Sequence, residues 1–343
     1  MRLTVNFAVI GCGMISRFHA DAIRAIDDAL LCGVYDAVPG QAQKTAAEYG
    51  VYCYASYEEV LADSLVDAVC ICTPSHLHAP LARQALSAGK HVLVEKPLSL
   101  RLEDCDEIIS LAERFGLQAG VVSQLRFSPA IKKVKYAADS GLLGRLTRGD
   151  LYMKYYRSQE YYDTGKWKGT LSMDGGGALM NQGIHGVDLL RYLMGPAKSI
   201  YALSGTLARD IEVEDTLSAV VAFQSGALGV IEASTADYPG MPRRIEINGE
   251  FGRIVLEEDR IACWEIEGEP EFCSHENDGI AFSHRQADAL NPSGHIEQYK
   301  NFISAIRGDT ELLTSAREGR GALEWVLAAY CSAKAHQPVF LPI

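Results

Sequence analysis

The segment Val9–Ser16 reads VIGCGMIS. An apolar run leads into Gly11-x-Gly13-x-x-Ser16, and a helix-like segment follows. That order is a strand, a tight turn and a helix start. The first glycine permits the turn, and the second lets a pyrophosphate approach the backbone. The helix N-terminus stabilises the phosphate charge. The third position is a serine, small enough for close helix–strand packing. Gly11, Gly13, Met14 and Ile15 are therefore expected to contact a bound dinucleotide. A glycine loop alone is weak evidence, but here Asp36 ends the next apolar segment, 25 residues past Gly11. A carboxylate there accepts hydrogen bonds from the adenosine ribose and repels a 2′-phosphate. Ala37 and Val38 supply no compensating cation. The expected cofactor is NAD, preferred over NADP. The alternative is a plain glycine turn.

Outward from this loop, the first 124 residues alternate strand-like and helix-like segments. Val5–Gly11, Leu30–Asp36, Val66–Thr73, His91–Glu95 and Leu117–Gln124 read as strands. Met14–Asp27, Pro39–Tyr49, His76–Ala88 and Leu102–Phe115 read as helices, the last two closed by Gly89 and Gly116. VDAVCICT, Val66–Thr73, is nearly all apolar, as a parallel strand covered on both faces should be. The fold class is α/β, and residues 1–124 are expected to form a doubly wound parallel sheet.

After a helix at Pro129–Asp139 the rhythm changes. Leu146–Tyr156 reads as a strand. Thr216–Phe223 and Ala227–Ala236 flank Gln224-Ser225-Gly226, a hairpin signal. Arg244–Ile247 and Arg253–Glu257 flank an Asn248-Gly249 turn pair. Helices at about Ile296–Arg307 and Arg317–His336 come last. Residues 125–343 are therefore expected to form an α+β domain on an antiparallel sheet.

The chain has 343 residues, 32 basic and 44 acidic, for a formal charge of −12. That balance argues against binding nucleic acid or anionic membrane. No apolar stretch reaches the roughly 20 residues needed to span a bilayer. Met1–Asn6 runs directly into a strand, so no secretory leader is expected. Nine cysteines are scattered without a C-x-x-C pair, which suits reduced thiols in a cytoplasmic protein. No His/Cys/Asp group shows metal-ligand spacing, and no metal is expected.

HVLVEKPL, His91–Leu98, ends its strand in Glu95-Lys96-Pro97. Open parallel sheets bind ligands at the carboxyl ends of their strands. Lys96 thus leaves its strand where a nicotinamide would lie, with Glu95 beside it. A lysine next to an apolar run and a cationic ring would have its pKa lowered. It could then take a hydroxyl proton or polarise a carbonyl. The local sequence also fits a solvated strand-end lysine. CTPSHLH, Cys72–His78, ends the preceding strand on the same rim. Thr73 and Pro74 could lie against the dinucleotide, and His78 starts the helix that borders it.

GGGALMNQGIHGVD, Gly175–Asp188, carries Asn181, His185 and Asp188. On a helix these positions share one face. The glycines allow a close backbone approach. Asn181 also reads as a cap, and His185 as a structural histidine. Met153–Leu171 is rich in tyrosine, with Trp167 and the cations Lys154, Arg157, Lys166 and Lys168. Rings stack on sugar faces, and cations such as Arg157 could hold a carboxylate or phosphate. An exposed loop or a subunit contact is the alternative.

The order Gly11-x-Gly13, TPSHLH, AGKHVLVEKP and GGGALMNQGIH resembles the glucose–fructose oxidoreductase, inositol dehydrogenase and rhizopine catabolism (Gfo/Idh/MocA) family. The resemblance covers essentially the whole chain. It implies an N-terminal Rossmann domain and a C-terminal α+β domain whose large, mostly antiparallel open sheet supports the substrate site and often subunit contacts. It implies an NAD-dependent oxidoreductase that moves hydride between nicotinamide and a secondary alcohol of a sugar, cyclitol or nucleotide sugar. It places Lys96 and His185 as proton-handling residues. Lys96, Arg157, Trp167, Asn181 and His185 are the expected substrate contacts. Many relatives, inositol dehydrogenases among them, carry aspartate where this chain has Asn181, whereas some that act on nucleotide-sugar uronates carry asparagine. A homodimer or homotetramer is expected. The rivals are a glycosidase that uses NAD transiently and a non-catalytic NAD(H) sensor.

Overall fold

The computed structural model describes residues 4–165, 167–271, 273 and 293–343. They fall into two units, one drawn from 1–124 and 292–320, the other from 125–291 and 321–343.

In the first unit, β1 (Val5–Ile10), β2 (Ala29–Tyr35), β3 (Tyr52–Cys53), β4 (Ala68–Ile71), β5 (His91–Val94) and β6 (Ala119–Val121) form a sheet. Its order is β3-β2-β1-β4-β5-β6 and every pair is parallel. The helices α1 (Met14–Arg24), α2 (Pro39–Tyr49), α3 (Tyr57–Ala62), α4 (His78–Ser87) and α5 (Leu102–Phe115) supply the crossovers. β3 and α3 are too short to leave a periodic signal and were not expected. All four residues of β4 are buried, which accounts for its apolar run. The strand order reverses between β1 and β4, and ligands of such sheets bind at that switch point.

In the second unit the helix α6 (Pro129–Asp139) precedes β7 (Leu146–Lys154). Then come α7 (Gln159–Asp163), α8 (Leu171–Asp174), a π-helical turn (Ala178–Gly183) and α9 (Ile184–Met194). β8 (Ala197–Gly205), β9 (Thr216–Phe223), β10 (Leu228–Ser234), β11 (Arg244–Gly249), β12 (Gly252–Glu257) and β13 (Arg260–Ile266) follow. After α10 (Ser293–Ile306) and α11 (Ala316–Ala335), β14 (Val339–Phe340) completes an eight-stranded sheet. Its order is β13-β12-β11-β7-β10-β9-β8-β14, antiparallel except where β10 runs parallel to β7. α9 lies on β7 with little space between them. A Cβ at Gly186 would stand 2.5 Å from the Met153 sulfur, and one at Gly149 would meet Met194 Cγ at 2.5 Å.

A single boundary at Gln124, with 125–343 as one domain, needs correction, because α10 belongs to the first unit. Tyr299, Phe302 and Ile303 on α10 are buried in the core with Phe7, Val9, Ile23 and Val34. The Tyr299 and Phe7 rings meet edge-on at 5.2 Å. Gln298 Nε2 donates to Val121 O at 2.7 Å and to Thr314 Oγ1 at 2.8 Å. The first unit's apolar core therefore closes only when this later segment returns to it. Among the described residues no helix is long and apolar enough to cross a membrane.

Candidate active site

The glycine loop is shaped for a phosphate. Gly11 has φ +92°, and a Cβ there would stand 2.8 Å from Cys72 O. A Cβ at Gly13 would meet nothing within 4 Å, so the loop faces open space on that side. α1 begins with no side-chain cap and no acid in its first turn. Its leading N–H groups, at Met14 and Ile15, are thus set to receive an anion. Ser16 is buried, and its hydroxyl donates to Gly13 O at 2.6 Å. Asp36 is pinned at the end of β2. Its Oδ2 accepts the Cys12 N–H and its Oδ1 the Val38 N–H, both at 2.7 Å. At the end of β4, Thr73 Oγ1 is buried without a hydrogen-bond partner, and Pro74 follows it. An uncapped helix start, an open glycine and an orphaned hydroxyl fit a dinucleotide.

His78 and Glu95, both expected at the cofactor, have their side chains engaged with the protein frame. His78 is buried, with Nδ1 2.7 Å from Pro97 O and Nε2 2.8 Å from Thr73 O. Each ring nitrogen faces a backbone carbonyl, and the single N–H of a neutral ring donates to one of the two, so His78 sits between two strand-end loops. Burial pushes its pKa down, and the two carbonyls oppose that shift. Glu95 also points inward. Oε1 meets His19 Nε2 at 3.0 Å, and Oε2 accepts the Lys96 N–H at 3.1 Å. Lys96 itself is half-buried.

His19, which the sequence does not single out, is buried beside Glu95. Its Nδ1 lies 2.9 Å from Tyr299 Oη and 3.3 Å from Cys70 Sγ. Burial works against the imidazolium, but Cys70 and Glu95 outweigh it and hold His19 up to about 10. Burial likewise works against the Glu95 carboxylate, but His19 outweighs it and holds Glu95 down to about 2. His295 on α10 is buried with its ring 5.1 Å from that of His19. Burial and the His19 charge push it down to about 3. The fold thus assembles donor groups that no sequence spacing shows. His19 with Cys70 and Cys72, and His19 with Glu95 and His295, each gather within 4.8 Å.

In the second unit Asn181 lies in the π-helical turn and His185 in the first turn of α9, both half-buried. The Asn181 amide donates to Asp174 Oδ1 at 2.7 Å, and Asp174 Oδ2 accepts the Gly169 N–H at 3.0 Å. Asp188 does not join them, contrary to the helical spacing. The helix changes from π to α between Asn181 and His185, and Asp188 is buried against Arg126. Arg126 grips it through Nε at 2.8 Å and Nη2 at 2.5 Å.

The tyrosine-rich loop gathers polar groups around Tyr161. Lys168 Nζ lies 4.0 Å from the centre of that ring, and Arg157 lies 5.7 Å from it and from Tyr155. Burial pushes the Lys168 ammonium down, Asp174 opposes that, and Arg157 adds to it. Gln182 Nε2 reaches Tyr161 Oη at 3.5 Å, and its Oε1 is buried without a hydrogen-bond partner. Trp167 is half-buried on the same loop. Lys154 instead pairs with Glu232 on the sheet at 2.8 Å, and Lys166 lies outside the described residues.

Comparison with known proteins agrees with this architecture. The family description for oxidoreductases with an NAD-binding Rossmann fold (GFO_IDH_MocA) matches residues 5–123. The GFO/IDH/MocA C-terminal domain matches residues 131–255. A WlbA dehydrogenase from Bordetella pertussis, solved in complex with NADH and UDP-GlcNAcA, is 36% identical. The likeness covers 99% of each chain with a TM-score of 0.90. The scyllo-inositol 2-dehydrogenase (NAD(+)) of Bacillus subtilis strain 168 is 30% identical over 263 residues, 75% of each protein. The myo-inositol 2-dehydrogenase of Thermotoga maritima is 29% identical over 336 residues, 93% of each. This chain therefore belongs to the GFO/IDH/MocA family of NAD(H)-binding oxidoreductases and is a dehydrogenase of the class that acts on CH–OH groups.

Proposed function

We propose that the protein oxidises a secondary hydroxyl of a nucleotide-linked sugar bearing a carboxylate, with NAD as hydride acceptor. The observation that carries this reading is the whole-length likeness to a dehydrogenase bound to NADH and UDP-GlcNAcA. Asn181 supports it against a cyclitol substrate, since inositol dehydrogenases commonly have aspartate there. The cations Arg157 and Lys168 beside Tyr161 suit an anionic sugar, and Trp167 on the same loop offers a ring to its face. Bound NAD supplies the hydride acceptor. Lys96 takes or returns the hydroxyl proton, and His185 and Asn181 orient the alcohol. Asp36 favours NAD over NADP, and the working form is a homodimer or homotetramer joined through the eight-stranded sheet.

The test is a substrate panel with NAD, following NADH fluorescence. It should hold a nucleotide-linked uronate, the free uronate, a neutral nucleotide sugar and cyclitols. The nucleotide-linked uronate should exceed cyclitols by about 10²-fold or more in kcat/KM, because its carboxylate gains charge-assisted hydrogen bonds from the site cations that a neutral ligand cannot make. A cyclitol as the preferred substrate would sink the reading. NADH that accumulates with substrate consumed separates this reaction from transient oxidation in a glycosidase and from a non-catalytic sensor.

A further inference from the structure

We propose that Glu214 and Tyr330 are positioning residues for the reaction, which together hold the helical turn that carries Asn181 and His185. The inference rests on the reading that those two side chains meet substrate. The first N–H groups of a helix have no carbonyl of their own helix to bond. Here four in succession are taken by two residues from outside the segment. Gly177 N–H goes to Glu214 Oε2 at 2.8 Å, and Ala178 N–H to the Glu214 backbone carbonyl at 2.9 Å. Leu179 N–H goes to Glu214 Oε1 at 2.9 Å, and Met180 N–H to Tyr330 Oη at 3.1 Å. Tyr330 Oη in turn donates to Glu214 Oε1 at 2.8 Å. The next N–H, that of Asn181, bonds back to Gly177 O at 2.9 Å. The register of the turn is therefore set from outside, up to the residue where the site begins.

The glycine run exists for this approach. A Cβ at Gly177 would stand 1.8 Å from the Glu214 carbonyl, and one at Gly176 would stand 2.4 Å from Tyr330 Oη. The turn is π-helical, a geometry found mostly as single turns and often at functional sites. It has no side-chain cap of its own. A carboxylate at its start also matches the positive end of the helix dipole. Glu214 is buried, with both oxygens engaged within this frame.

Three variants test the assignment: Glu214→Gln, Tyr330→Phe and His185→Ala. A glutamine keeps the volume but sets an amide nitrogen against a backbone N–H. Glu214→Gln should lower kcat by about 10²-fold, the scale of a site displaced by about 1 Å. Tyr330→Phe should lower it less and in the same direction. NADH affinity should stay within about twofold in both, since the turn, Glu214 and Tyr330 all belong to the second unit and the glycine loop to the first. Amide exchange across 178–185 should quicken in both. Normal kcat and KM in folded Glu214→Gln and Tyr330→Phe, with His185→Ala impaired, would overturn the inference alone. If Glu214→Gln does not fold, Tyr330→Phe decides. Normal turnover of His185→Ala would overturn the site reading, and the inference with it.

Discussion

Asn181 gives its side-chain amide to Asp174 Oδ1 at 2.7 Å. The chain thus keeps a buried carboxylate one hydrogen bond behind its asparagine. Asn181→Asp would set two carboxylates at that distance, and like charges so close raise one pKa strongly. A carboxyl whose folded pKa lies above its unfolded value favours the fold below that unfolded value. That contribution is lost as pH rises through the folded value. The gap in melting temperature between wild type and Asn181→Asp should therefore widen from about pH 5 to pH 8. Asn181→Ala should mainly raise the substrate KM, because it removes hydrogen bonds rather than a proton carrier. A gap that stays constant across that range would show that the two carboxylates do not couple.

The Asp36 carboxylate is held by the Cys12 and Val38 N–H groups, so it cannot swing away from a 2′-phosphate. Catalytic efficiency with NAD should exceed that with NADP by well over tenfold, as a like-charge clash of a few kcal/mol implies. Asp36→Ser with Ala37→Arg should shift the preference toward NADP. Equal efficiency of the wild type with both cofactors refutes this.

The His19–Glu95 pair sets a pH window for stability. The Glu95 pKa is lowered to about 2, so its contribution is present above the ordinary carboxylate value and fades as pH falls toward 2. The His19 pKa is raised to about 10, so its contribution is complete below the ordinary histidine value and fades as pH rises toward 10. Cys70 beside His19 is lowered to about 5 and offsets the His19 effect between the ordinary histidine and thiol values. Urea midpoints should therefore rise from acid to neutral pH and decline only in alkali, toward pH 10. His19→Gln should lower the midpoint and flatten the alkaline decline. An unchanged slope in that variant would remove His19 as its source.

Proton handling predicts large kinetic losses with little change in cofactor binding. Lys96→Ala and His185→Ala should each lower kcat by about 10²–10⁴-fold, the usual worth of a general acid or base. NADH affinity, read by fluorescence titration, should change far less. Near-normal turnover of Lys96→Ala would show that the proton goes elsewhere.

The exposed face of the eight-stranded sheet carries an apolar patch on β8, β9 and β10 beside ion pairs such as Lys154–Glu232 and Arg244–Glu246. Leu203 and Val220 are each 54% exposed and Leu228 is 58% exposed. Tyr201 pairs with Val220 across β8 and β9, so these side chains form a patch. If a second copy covers this patch, as proposed, burying it drives assembly. Light scattering at micromolar concentration should give a dimer or tetramer, and Leu203→Glu with Val220→Glu should give a monomer. A monomeric wild type is the contrary result.

Local order carried much of this protein's reading. VIGCGMIS, the apolar run Val66–Thr73 and the glycine helix stops are contiguous signals, because strand period, helix period and positive φ belong to neighbouring residues. They sufficed for the parallel sheet and for a switch in rhythm near Gln124. Lys96 was legible because strand ends are legible. His185 stood out only through the resemblance of its motif. The rest depended on distance in space. Glu95 meets His19, 76 residues away, and Tyr299 lies 280 residues from that same histidine. Asp188 shared a helical spacing with His185, but Arg126 holds it. The turn of Asn181 rests on Glu214 and on Tyr330, 150 residues from the N–H that it caps. A buried polar atom must find a partner, and nothing in the local sequence names which one. Only the packed chain, once water is excluded, selects it.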